Sequence, residues 1–157
     1  MYALPTHKNL DDFISTEVTT MPKPRKVWAK SPAKSSKPSV SEFIKAQLTI
    51  KATHLIENVL KPKHVQSPEA DAQLNYITDI SATWIRQYFY LIAHYACPSP
   101  NAISPTFESK FARMHYVGDG KFALAFHRHT GAWVEIYDAL SVDESLQAIH
   151  VDQWFMP

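Results

Sequence analysis

The sequence predicts an α+β domain in which two long helices pack on a three-stranded antiparallel meander, with a short C-terminal helix. Three observations carry this expectation. Residues 107–137, FESKFARMHYVGDGKFALAFHRHTGAWVEIY, hold three runs rich in aromatic and β-branched residues, separated by glycine-containing turns. Two S-x-x-E capping boxes, Ser39/Glu42 and Ser141/Glu144, each open a helical pattern. Upstream of the meander, apolar residues recur at helical spacing over long stretches.

At 157 residues, with 45% hydrophobic content, the chain has the length and apolar material of one domain. Residues 1–38 carry seven Lys/Arg against three Asp/Glu, and residues 39–157 carry nine against twelve, so a leader at +4 precedes a body at −3. We therefore divide the chain into an irregular basic Pro/Ser-rich leader, 1–38, and a single α+β domain, 39–157. The N-terminus lacks a signal-peptide pattern, and no apolar run approaches the ~20 residues that cross a bilayer. A cytoplasmic protein with no membrane partner is expected. Cys97 is the only cysteine, which excludes an internal disulfide and a cysteine-based metal site.

Within the leader, Asn9 can cap a short helix bearing Leu10, Phe13 and Ile14. Residues 21–38 then hold Lys23, Arg25, Lys26, Lys30, Lys34 and Lys37 with no acid, among four prolines. This composition opposes regular structure. Its functional reading is attraction to nucleic acid, with Trp28 as a stacking residue; its plainer reading is a solubilising linker.

The first long helix is expected from Ser39 to just before Pro62, with Val40, Phe43, Ile44, Leu48, Leu55, Ile56 and Val59 on its apolar stripe. The second is expected to open at Ser67-Pro68-Glu69 and run to about Ala96. Leu74, Ile77, Ser81, Trp84, Tyr88, Leu91 and Tyr95 would trace its main face against the meander. His94 and Cys97 would then meet at its C-terminal end, where the helix dipole disfavours a thiolate nucleophile.

The three strands are expected at Phe111–Val117, Lys121–Arg128 and Ala132–Tyr137. A two-residue turn at Asp119-Gly120 would pair Val117 with Phe122, and a three-residue loop would pair Val117 with Lys121. The longer loops sort the side chains: Ala112, Met114, Tyr116, Phe122, Leu124, Phe126, Val134 and Ile136 take one face. The other face then holds Arg113, His115, Ala123, Ala125, His127, Trp133, Glu135 and Tyr137. Two alanines flanked by larger groups describe a shallow trough. Either a partner or another part of this chain would fill it. An Arg113–Glu135 ion pair is expected across it. The last helix follows Ser141, with Leu140, Val142, Leu146 and Ile149 inward, and Trp154 and Phe155 tucked against the body.

The sequence shows no phosphate-binding glycine loop, no G-x-S-x-G, no H-E-x-x-H and no cysteine pair. His127-x-His129 has strand spacing but finds no third ligand for zinc. No cofactor and no metal are expected. The run Ala112–Tyr116, Arg128 with Gly131-Ala132-Trp133, Tyr137-Asp138, and a short helix ending in Asp-x-x-Phe resemble the C-terminal part of a family of small uncharacterised bacterial domains. That resemblance implies no activity.

The expected function is a non-catalytic binding module for protein or nucleic acid, with Arg113, His115, His127, Trp133, Glu135 and Tyr137 as its contacts and the basic leader adding attraction. A small enzyme using the trough's His and Glu, and a self-associating structural protein, are the alternatives.

Overall fold

The computed structural model describes residues 37–65, 67 and 74–157. Five strands in sequence order form one antiparallel sheet: β1 Tyr76–Ile85, β2 Tyr88–Ala96, β3 Thr106–Gly118, β4 Lys121–His127 and β5 Trp133–Leu140. A helical arm precedes the sheet and a short helix, α3 Val142–Val151, follows it. The arm consists of α1 Glu42–Leu55, a π turn Ile56–Leu60 and α2 Lys61–His64. The α+β class holds, but the three-stranded meander with two long helices does not.

The expected second helix is the hairpin β1–β2. Its apolar residues fall at helical and at strand spacing alike, so both periods fit them. Tyr, Ile, Thr, Trp and Phe dominate the run, and these side chains fit a pleated sheet better than a helix. Ile80, Ala82 and Trp84 alternate onto the core, as do Phe89, Leu91 and Ala93. The turn between the strands is Arg86-Gln87, with Arg86 at φ 58. An arginine in the left-handed region gives no glycine signal to read. Of the expected Ser67-Pro68-Glu69 cap, Pro68 and Glu69 lie outside the described residues.

The arm also departs from expectation at both ends. Its N-cap is Ser41, not Ser39, and the Ser41 hydroxyl accepts the Ile44 N–H at 3.3 Å. The helix continues through Pro62, where no N–H is available and the ring would crowd the carbonyl four residues back. The π turn widens the helix just before that point, and the Lys61 N–H reaches back to Ile56 O. Leu48, Ala52, Ile56 and Leu60 form the buried stripe, whereas Phe43 points to solvent.

The β3–β4 hairpin combines both expected registers. Asp119-Gly120 is a two-residue turn, with φ of 51 and 71, closed by Gly118 opposite Lys121. An extra residue, Val117, bulges from β3 and shifts the ladder by one. Tyr116 therefore faces Phe122, His115 faces Ala123 and Arg113 faces Ala125, the arrangement that sorts the oily side chains inward. The next loop is the three-residue one: Gly131, at φ 84, donates its N–H to Arg128 O at 2.9 Å. The ladder is regular from His127↔Trp133 to Ala125↔Glu135, then slips so that Leu124 faces Tyr137.

One face of the sheet carries the core, with Phe89, Leu91, Met114, Phe122 and Leu124 packed under Leu48, Ile56, Leu146 and Ile149. Lys51 on α1 pairs with Asp143 on α3 at 2.6 Å, so arm and last helix lie side by side on that face. Ser141 and Glu144 form the expected capping box. Phe155 is buried, while Trp154 is half exposed with its ring 5.2 Å from that of Phe126.

Candidate functional site

The opposite face of the sheet has no helix or strand over it among the described residues. Five strands build it, and the register fixes what stands there. Tyr88, His115 and Ala123 lie in one cross-strand row; Tyr90, Arg113, Ala125 and Glu135 lie in the next. His127 and Trp133 follow as an opposed pair.

The side chains meet as a layer of rings and cations. The Arg113 guanidinium carbon lies 4.9 Å from the centre of the Tyr88 ring and 4.7 Å from that of Trp133. Trp133 also comes within 5.6 Å of Tyr90 and 4.9 Å of His127. The His115 ring lies 4.8 Å from Tyr88, and Lys110 Nζ sits 4.9 Å over Tyr90. Trp133 belongs to β5, yet it touches residues of β3 and β2. It can cross β4 only because Ala125 offers no side chain in the way. The expected trough is thus bridged by Trp133 and Arg113, and Ala125 beneath is buried.

Two expected contacts are placed differently. Arg113 does not pair with Glu135; it lies against two rings, and Glu135 stands exposed with no ion pair among the described residues. Tyr137 leaves the face because of the slip at Ile136. It turns toward α3 and donates its hydroxyl to Asp152 at 2.5 Å, and that carboxylate raises the phenol pKa. Of the basic leader, Lys23, Arg25, Lys26, Trp28, Lys30 and Lys34 lie outside the described residues. Lys37 is described and exposed, and its charge reaches His115. Burial above all, then Lys37 and Arg113, push the His115 pKa below its ordinary value against the opposing pull of Glu135.

Tyr88, Tyr90 and Lys110 are absent from the contacts that the sequence predicts. The predicted second helix takes in the first two, and Lys110 precedes the predicted strand by one residue. Alternation of Tyr88, Tyr90 and Ile92 against Phe89, Leu91 and Ala93 was the signal that could have found the tyrosines.

Two further clusters carry polar chemistry. Ser81 Oγ lies 2.8 Å from His94 Nε2, and His94 Nδ1 lies 3.4 Å from Glu108 Oε1. Between β5 and α3, a cavity of about 620 Å³ is lined by Tyr137, Leu140, Asp143, Glu144, Gln147 and Asp152, among others. Cys97 follows β2 rather than ending a helix, and its N–H donates to Pro105 O. No group of three or more His, Cys, Asp or Glu able to hold a metal occurs among the described residues. No helix among them is long and apolar enough to cross a membrane.

The family model of a domain of unknown function, DUF3024, matches residues 40–157. The chain belongs to this family. The DUF3024 match begins at Val40, the first buried core residue described, and takes in the helical arm, all five strands and α3. It is not confined to the C-terminal segment on which the sequence showed a resemblance. No curated protein matches this DUF3024 chain, and no solved structure does.

Proposed function

We propose that this protein is a non-catalytic binding module that takes its partner on the open face of the sheet. The observation that carries this reading is the stack Tyr88–Arg113–Trp133, set on the face that the helices leave uncovered. Aromatic rings and arginine together make strong anchors, because they offer large contact area, stacking and fixed donors at little conformational cost. His127 and Glu135 border the stack as polar contacts, and the basic leader adds attraction from a distance. The module acts in the cytoplasm.

The test is site-specific photocrosslinking in cells. A photoreactive residue at position 135 should capture a discrete partner, and the capture should disappear in the Trp133→Ala background. The same group at Gln47, on the exposed side of α1, should capture none. Equal capture from both positions, or none from position 135, overturns the reading.

One observation favours a second, enzymatic reading. Ser81, His94 and Glu108 form a hydroxyl–imidazole–carboxylate chain of the kind that activates a nucleophile. A fluorophosphonate probe that labels wild-type protein but not Ser81→Ala would support it. An unlabelled wild-type protein would remove it.

A further inference from the structure

Resting on the binding-module reading, we infer that the partner is a single-stranded nucleic acid, whose bases stack on Trp133, Tyr88 and Tyr90 while Arg113 and Lys110 hold its phosphates. Four features of the molecule lead there.

The first is the platform. Rings standing on an open antiparallel sheet offer flat surfaces to unstacked bases, and every base has a face that can stack. From β2 to β5 the platform spans three strand spacings, about 14 Å, which suits about two or three splayed nucleotides. A duplex keeps its bases stacked inside and presents none to such a surface.

The second is Arg113. Its guanidinium carbon lies 4.9 Å and 4.7 Å from two ring centres, and its outer N–H groups are of the kind that grip a phosphate with parallel hydrogen bonds. Its buried Nε has no hydrogen-bond partner.

The third is where charge lies. Lys110 and Arg113 stand among the rings of the open face, with Arg128 in the adjoining turn, while Glu108, Glu135 and Asp79, opposite His94, share the face. Asp143, Glu144 and Asp152 gather instead on the helix side, around the cavity beside α3. The two cations beside the rings, Lys110 and Arg113, thus lie away from that acidic cluster.

The fourth is the point where the leader joins. Pro38 lies beside Gly118 at the β3–β4 hairpin, and the charge of Lys37 reaches His115 on the open face. The lysines and arginine at positions 23–34 add sequence-independent attraction to phosphates.

Fluorescence anisotropy on the full chain tests this, with fluorescein-labelled oligouridine, oligothymidine and a duplex of the same length. The single strands should bind at least tenfold more tightly than the duplex. Trp133→Ala and Arg113→Ala should each weaken single-strand binding about tenfold. Trp133→Phe, which keeps a ring, should restore most of it, and this separates stacking from a folding defect. Replacing Lys23, Arg25, Lys26, Lys30 and Lys34 with alanine should lower the salt dependence yet preserve the single-strand preference.

Equal affinity for the duplex overturns the inference. So does binding that disappears with the leader substitutions but ignores Trp133→Ala, since the tail alone would then explain it. If position 135 photocrosslinks a protein while no oligonucleotide binds, the nucleic-acid inference falls and the binding module stands. If both experiments are blank, both fall.

Discussion

His115 shows how a single side chain reports its surroundings. Its ring rests against Tyr88, Arg113 is a neighbour along β3, and Lys37 adds a second positive charge. Burial and both cations disfavour the imidazolium, so its pKa lies below 6.5 in the folded protein, with Glu135 opposing. The unfolded chain then takes up the proton more readily. The stability linked to this histidine is complete above the unfolded value and is lost as pH falls through the folded one. NMR titration of the His115 C2 proton should give a midpoint below 6.5. His115→Gln should make stability fall less steeply over that window. A midpoint above 6.5 would show that Glu135 outweighs burial and the two cations together.

Lys61 works between residues and elements, since it pairs with Glu57 one helical turn back and with Asp79 on β1. The Asp79 hydrogen bond is the main cause of the raised Lys61 pKa, and the same bond lowers that of Asp79. The Asp79 contribution is complete above its unfolded value of 3.8 and is lost as pH falls through the folded one. The Lys61 contribution is complete below 10.5 and is lost as pH rises through its folded value. Both groups are well solvated, so Lys61→Met should cost at most about 1 kcal/mol near neutral pH. Urea titrations at neutral pH and below the folded Asp79 pKa would show that cost shrinking in acid. A cost independent of pH would assign it to packing of the lysine stem.

At the scale of elements, the turns decided what could be read in advance. Where glycine marked them, the β3–β5 ladder was legible, down to Arg113 opposite Ala125 and His127 opposite Trp133. Those pairs placed the arginine, the histidines and the tryptophan on one face. Where Arg86 took the glycine's role, two strands looked like one helix, and half of the open face went unseen. Bulges were illegible for another reason. They answer to packing across the sheet, and the slip at Ile136 that turns Tyr137 inward has no local signature. The Arg86 turn makes a direct prediction. A left-handed arginine costs about 1–2 kcal/mol, and glycine's extra unfolded-state freedom offsets about 0.5–1. Arg86→Gly should therefore raise stability by roughly 0.5–1 kcal/mol, seen as a higher urea midpoint with unchanged slope. A lower midpoint would mean that the arginine side chain contributes contacts worth more than the strain.

On the proposed function the two faces of the sheet divide stability from recognition, and the central rows of β4 and β5 test it most sharply. Leu124 points into the core with no exposure, while Trp133 on the neighbouring strand lies partly buried over Ala125 on the other side. Removing the Leu124 side chain leaves a cavity between the sheet and the helices, and such truncations cost about 2–5 kcal/mol. A domain of this size holds about 5–15 kcal/mol, so Leu124→Ala should remain folded at 25 °C with a much lower urea midpoint. Whatever binds the open face should bind this variant with near wild-type affinity once the unfolded fraction is allowed for. Trp133→Ala should do the reverse, losing the partner while its midpoint falls by less than half as much. If instead the two substitutions lower stability equally, the rings are a second core rather than a surface kept for a partner. The division of labour between the faces would then be false.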